Sequence, residues 1–253
     1  MTDRPALDAV LLDAGGTLVR LDFEWMSAML AGHGVSIGPE AIRRAEVAGR
    51  RAYDASRGTP VASGVAAPPL GTAGDTDAYF RGMLVAAGIP AALVPLALER
   101  FRARHAEVGL WVHPMEGARA ALDGLAALGL ALAVVSNSDG RAERHLVDCG
   151  VREGLEFVLD SHHAGIEKPD PEIFHAGVRR LGTRPERVLF VGDIRCVDEA
   201  GARAAGTQFV LIDPYGDYAA PGTPAIAAIA GLPEWTASHF EVPGRRAASP
   251  PSR

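Results

Sequence analysis

The run VLFVGDIRCVDEAGARAAG, Val188 to Gly206, decides how the rest of the chain is read. Its opening residues, Val188–Gly192, are short and apolar, the pattern of a strand covered on both faces. They end on Gly192-Asp193, and a helical, alanine-rich stretch follows over Val197–Ala205. Strand, acidic turn and helix make one unit of a layered α/β structure. The same kind of apolar run recurs at Ala9–Asp13, Ala131–Ser136, Phe157–Asp160 and Gln208–Ile212. Helical patterns lie among them at Glu116–Leu128, Gly140–Cys149 and Pro171–Leu181. The last opens on a proline, whose missing N–H is no loss in a first helical turn. The alternation predicts an α/β fold built on a doubly wound parallel sheet.

The first strand stands apart. The chain between Asp13 and Ala131 is too long for one crossover, and it carries helical patterns at Phe23–His33, Pro39–Tyr53, Asp77–Ala87 and Ala91–His105. We read 21–110 as an inserted α-helical cap, with 1–20 and 111–242 forming the core. Within the cap, Ser56–Asp75 is rich in Gly, Pro, Ser, Thr and Ala, and reads as a mobile loop. The Pro/Ser/Arg-rich tail, 243–253, reads as disordered.

Composition narrows the function classes. The chain has 253 residues, of which 48% are hydrophobic and 22% charged, enough apolar material for a real core. A net charge of −6 with no Lys/Arg stripe argues against nucleic acid and anionic membranes as partners. The longest apolar stretch, Leu125 to Val135, is interrupted by glycine and too short for a bilayer. MTDRPALDAV has no signal-peptide pattern, and Cys149 and Cys196 make no disulfide scaffold. A cytoplasmic location is expected.

Polar clusters sit where the predicted strands end, the edge at which open α/β sheets bind ligands. They are Asp13-Ala14-Gly15-Gly16-Thr17-Leu18, Ser136-Asn137-Ser138, and Gly192-Asp193 running on to Asp198. Downstream of Asp160 comes Gly165-Ile166-Glu167-Lys168-Pro169-Asp170-Pro171, which holds the sole lysine among 25 Lys and Arg. Lysine is a compact point charge where arginine is a broad planar fork, so a crowded anionic site is one place where arginine cannot replace it. Singly, such residues are ordinary: an aspartate after a strand is usually a helix N-cap, and Ser-Asn is usually a turn.

Together, LLDAGGTL, VVSNSDG, GIEKPDPEIF and FVGDIRCVDEAGARAAG resemble the haloacid dehalogenase superfamily of hydrolases, in the branch with a helical cap after the first motif. The resemblance implies a Rossmann-like core and Mg²⁺-assisted aspartyl-phosphate chemistry on a small phosphorylated substrate. Carried onto this chain, Asp13 is the nucleophile. The metal ligands are Asp13, the carbonyl of Gly15 and Asp193, with Asp198 in the outer sphere or ligating through water. Ser136, Asn137 and Lys168 are expected to contact the phosphoryl group, Lys168 also neutralising the nucleophile. Thr17 is expected to brace the turn after Asp13. Asn137 also has a plain turn reading, and Asp198 and Glu199 could serve only the helix dipole. Cys196 reads as a small buried hydrophobe. His162-His163 reads as an exposed loop pair, the aromatics Trp25, Tyr53, Phe80 and Phe101 as cap core, and Arg43-Arg44 and Arg50-Arg51 as solvated faces.

The pattern departs from the family at one place. Family phosphatases carry an aspartate general acid/base two residues after the nucleophile, where this chain has Gly15. Glycine cannot protonate a leaving alcohol, a loss typically worth about 10²–10⁴ in rate. A good leaving group, a cap residue such as Asp22, Glu24, His33 or His113, or a weakened catalyst that still binds phosphate would each answer it. A metal-independent 2-haloacid dehalogenase is the alternative hydrolase, disfavoured by the intact Asp193 and Asp198. Asp13-Ala14-Gly15-Gly16-Thr17 also fits the phosphate loop of actin-like sugar kinases, but those need a second similar domain that this chain has no room for.

Overall fold

The computed structural model describes residues 4–56 and 76–244. Of the loop expected over Ser56–Asp75 all but Ser56, the last residue of a helix, lies outside them, and so does the tail expected over 243–253 except Pro243 and Gly244, whose N–H donates to the Leu128 carbonyl at 3.0 Å. In chain order the elements are β1 (Ala9–Leu12), β2 (Val19–Leu21), α1 (Phe23–Ala31), α2 (Pro39–Ser56), α3 (Thr76–Ala86) and α4 (Val94–Glu107). There follow β3 (Trp111–Pro114), α5 (Ala118–Ala127), β4 (Ala131–Ser136), α6 (Ala142–Asp148), β5 (Val158–Asp160), α7 (Ser161–Ala164) and α8 (Pro171–Arg180). The chain ends with β6 (Val188–Gly192), a π-helical turn (Arg195–Glu199), α9 (Ala200–Ala204), β7 (Gln208–Ile212), β8 (Ala225–Ile226) and α10 (Leu232–His239). Two compact units result: Met1–Val19 with Pro114–Arg253, and Arg20–His113.

The first unit is α/β and Rossmann-like. Its six-stranded sheet has the order β5-β4-β1-β6-β7-β8, with every pairing parallel. Strands β1 and β6 are buried along their whole length, which is why both read as unbroken apolar runs. The helices close on the sheet through small residues and rings. Phe174 of α8 stacks edge-on against Phe190 of β6 at 4.7 Å, and Gly177 of α8 lies so near Leu11 and Val135 that a Cβ there would press on both. Each apolar run of the sequence is a strand here, within a residue at either end. Five of these elements have no counterpart in the sequence reading: β2, β3, β8, α7 and α10. None exceeds eight residues, shorter than the window over which periodicity can be read.

The second unit is helical. Asp22 caps α1 by accepting the Trp25 N–H at 3.0 Å. Helices α2 and α3 meet closely because Gly49 and Gly82 face the other helix; a Cβ on Gly82 would meet Ala52 and the Ala48 carbonyl. Phe80 and Phe101 are buried and pack edge to face at 5.3 Å, while Trp25 and Tyr53 are half-buried. One expectation fails here. Arg50 is not on a solvated face but 2% exposed, beside the Glu46 carboxylate at 3.7 Å. Glu46 in turn accepts the Tyr79 hydroxyl at 2.6 Å. A cation this buried on α2 is offset by the carboxylate beside it. No helix among the described residues is long and apolar enough to cross a membrane.

Candidate active site

The parallel sheet brings the ends of β4, β1 and β6 to one edge. The chain builds outward from β1 in opposite directions, through β4 and β5 on one side and β6 to β8 on the other. Strand order therefore reverses beside β1, where such folds open a crevice. Asp13 follows β1, Ser136 closes β4 and Asp193 follows β6.

Lys168 reaches this edge from the segment between α7 and α8. Its Nζ donates to Asp13 Oδ1 at 2.6 Å and to Asp198 Oδ1 at 2.7 Å, and stands 5.3 Å from the centre of the Phe190 ring. All three charged groups are buried, Lys168 to 1% exposure. Burial alone would strip the proton from this amine, but the adjacent Asp13 and Asp198 carboxylates outweigh it and hold the ammonium charged far above the ordinary lysine range. At Asp13 burial is again the largest influence. It pushes the carboxyl above the usual aspartate value, helped by the Asp198 charge and opposed by Lys168.

Asp198 has two tasks. While Oδ1 holds Lys168, Oδ2 accepts the backbone N–H groups of Asp193 at 3.0 Å and Ile194 at 2.9 Å. It therefore fixes the turn that carries Asp193, with the π-helical turn supplying the extra residue that aims it back. The helix-dipole reading of Asp198 is thus too small, and that of Glu199 does not hold: its carboxylate ties Arg195 at 3.3 Å, Arg203 at 2.8 Å and Thr223 at 2.6 Å. Two glycines make room for the acids. A Cβ on Gly16, which also has φ 70°, would fall inside the Asp193 carboxylate, and one on Gly192 would fall inside that of Asp198.

The remaining expected residues are spread around this centre. Ser136 is 4% exposed and in register with Asp160 of β5. The side-chain amide of Asn137 lies against the backbone of Lys168. Gly15 sits in the tight turn after Asp13, bridged to Val19. Thr17 does not brace that turn as expected: its buried hydroxyl finds no hydrogen-bond partner among the described residues. Backbone bonds close the turn instead, from Leu18 N–H and Val19 N–H to the Ala14 carbonyl at 2.8 and 2.9 Å. Cys196 is buried, as expected. His162 and His163 are exposed but lie in α7, not in a loop. The sequence reading missed Asp160, whose carboxylate accepts N–H groups from Gly140, Ala142 and His162. Its place at a strand end before Ser161 is an N-cap signal that could have found it.

The site suits a hard cation. One oxygen each from Asp13, Asp193 and Asp198 lie within 4.8 Å of one another; with both Asp198 oxygens engaged by Lys168 and backbone N–H groups, Asp13 and Asp193 are the carboxylates that could hold an ion such as Mg²⁺, which takes one or two. A second trio, Asp22, Glu24 and His113, gathers in the helical unit. Its carboxylates are already engaged by Arg104 at 3.1 Å and Arg20 at 2.9 Å, and His113 Nε2 stands 3.2 Å from Asp22. His33 is not part of it.

Comparison with known proteins places this edge in context. The profile of the haloacid dehalogenase-like hydrolases matches residues 7–206. Haloacid dehalogenase-like hydrolase domain-containing protein 3 of Bos taurus is 45% identical over 98 residues, 39% of this chain and 39% of that protein. A phosphoserine phosphatase of Thermus thermophilus is 40% identical over 86 residues, 34% of each. The chain thus matches under half the length of these relatives. Among solved structures, a dehalogenase superposes with TM-score 0.58 and 24% identity over 92% of this chain and 98% of that one, a likeness of fold.

Proposed function

The chain belongs to the haloacid dehalogenase-like hydrolases, and from that premise we propose that it is a Mg²⁺-dependent phosphatase of a small phosphorylated metabolite, working through an aspartyl-phosphate at Asp13. The observation that carries this reading is the buried ammonium of Lys168 bonded to both Asp13 and Asp198, with Asp193 close by. A carboxylate and a phosphate repel, and a fixed positive charge between them removes that barrier. The phosphoserine phosphatase relative supports the substrate class. The unit Arg20–His113 is read as the cap domain.

In the proposed reaction a carboxylate oxygen of Asp13 attacks phosphorus in line, and the bond from phosphorus to the leaving oxygen breaks. Lys168 holds Asp13 in place and offsets charge on the transferring group, while Ser136 donates to a phosphoryl oxygen. Water then attacks phosphorus of the acyl phosphate, releasing inorganic phosphate and restoring the Asp13 carboxylate. A Mg²⁺ ion held by Asp13, Asp193 and the Gly15 carbonyl would supply further positive charge to the phosphoryl group. Asp198 serves by fixing Lys168 and the Asp193 turn. Gly15 offers no proton to the leaving oxygen, so substrates with acidic leaving groups are favoured.

The same absence is what an alternative, metal-independent dehalogenation of a 2-haloacid would tolerate, since a halide leaves unprotonated. The two readings separate in one assay of the purified chain with p-nitrophenyl phosphate, acetyl phosphate and 2-chloropropionate, each with Mg²⁺ and with chelator. Phosphate release that needs Mg²⁺ and is lost in Asp13→Asn is the expected result. Chloride release in chelator would establish the dehalogenase, and tight Mg²⁺ binding without turnover would leave a phosphate-binding protein.

A further inference from the structure

Taking Lys168 as the active-site ammonium, we propose that Asn137 is a positioning residue for that lysine and not a substrate contact. Its amide spans the backbone of residue 168: Oδ1 accepts the Lys168 N–H at 2.7 Å, and Nδ2 donates to the Lys168 carbonyl at 2.8 Å. This is the two-point pairing that neighbouring strands make, supplied here by a single side chain. It restrains the backbone from which the lysine springs, and so the height at which the ammonium arrives between Asp13 and Asp198.

The platform is tied down in its turn. Ser161 Oγ accepts the Ser138 N–H at 3.1 Å and donates to the Ser138 carbonyl at 3.2 Å, a second side-chain clamp on the next turn residue but one from Ser136. The Asp160 carboxylate, 5% exposed, accepts N–H groups from Gly140 at 3.1 Å, Ala142 at 3.2 Å and His162 at 3.0 Å. Thus the end of β5 holds the turn after β4, that turn holds residue 168, and residue 168 delivers the charge. A lysine stem is flexible, and a reacting group displaced by about 1 Å can lose on the order of 10² in rate. The clamp removes the backbone share of that error.

The sole lysine makes the test direct. Full-length protein labelled only in lysine with ¹³C and ¹⁵N gives one backbone amide signal and one side-chain set, read in the resting protein without substrate. Wild type, Asn137→Ala and Asn137→Asp are compared for Lys168 amide exchange, side-chain shifts, and kcat and KM on p-nitrophenyl phosphate with Mg²⁺. The wild-type amide should be protected by at least about 100-fold over an unstructured one. Asn137→Ala should cut that protection about tenfold or more, shift the lysine signals, and lower kcat by roughly 10- to 100-fold while KM moves less than about threefold. Asn137→Asp keeps the acceptor but loses the donor, so protection should persist with an intermediate kcat. An unprotected wild-type amide overturns the proposal. So does Asn137→Ala, or Asn137→Asp if the alanine variant does not fold, that raises KM with the lysine signals unmoved. Exchange and shifts need no turnover, so a chain inactive on phosphates would defeat the functional reading and leave this one to be decided.

Discussion

At the scale of the residue, Lys168 shows why a chain otherwise built on arginine retains one lysine. The ammonium is 1% exposed and bonded to two carboxylates. A guanidinium has the same charge but a planar fork, which does not fit a slot cut for a point charge. Lys168→Arg should therefore fold and lose about 100-fold or more in kcat, measured on p-nitrophenyl phosphate. Lys168→Met leaves two buried carboxylates facing each other and should lower the unfolding free energy by about 3–5 kcal/mol in urea titration of the metal-free protein near neutral pH. Gly15 yields a prediction of opposite sign. Unlike Gly16, it is not among the glycines with positive φ, so an aspartate can be introduced without left-handed strain. Gly15→Asp should raise turnover of an alkyl phosphate by about tenfold or more, because it places a proton donor in the turn after Asp13. An unchanged or lower rate would mean that the glycine serves to make space.

At the scale of the element, the site is made by turns that follow strands, and their fit depends on which residues lack a side chain. Gly192 ends β6 with the Asp198 carboxylate packed where its Cβ would be. Gly192→Ala should push Asp198 off the N–H groups of Asp193 and Ile194 and off Lys168 together. We expect kcat to fall about 100-fold, while circular dichroism keeps the wild-type spectrum; unchanged kinetics would show that the π-helical turn yields without loss. This scale also shows what sequence can and cannot disclose. Asp13, Asp193 and Lys168 were legible because each belongs to a local pattern: apolar run, then polar turn, or a lysine between glycine and proline. The roles of Asn137 and Ser161 were not, since a polar residue in a turn looks the same whether it holds another segment or faces water. Arg50 was misread for a related reason. The helical pattern of α2 marks one face as apolar, but nothing in it tells that the arginine is buried with Glu46 alongside.

At the scale of the molecule, the strand runs gave the parallel sheet but not the closing segment after β7, whose elements are too short to carry a period. That segment depends on Asp213. Its carboxylate accepts the N–H groups of Gly216 at 3.1 Å, Tyr218 at 2.9 Å and Ala219 at 2.9 Å. Burial pushes the carboxyl upward, but these backbone donors outweigh it and hold it below the usual aspartate value. A carboxyl depressed in the folded state stabilises fully above its unfolded pKa, and that gain disappears as pH falls through the folded value. Asp213→Asn should thus be less stable than wild type by about 1–3 kcal/mol near neutral pH. The gap should close as the pH drops below about 4, read as paired urea titrations; a gap that persists unchanged in acid would assign the effect to packing.

If Asp13 carries the phosphoryl group as proposed, the covalent intermediate can be trapped on it. The protein is turned over with acetyl phosphate and Mg²⁺, quenched in acid, treated with borohydride to reduce an acyl phosphate to an alcohol, and digested for mass spectrometry. Homoserine is expected at position 13, absent when Mg²⁺ is withheld. Phosphate release during the same turnover with an unmodified aspartate at position 13, under conditions where a control aspartyl-phosphate is reduced, would contradict that role for Asp13.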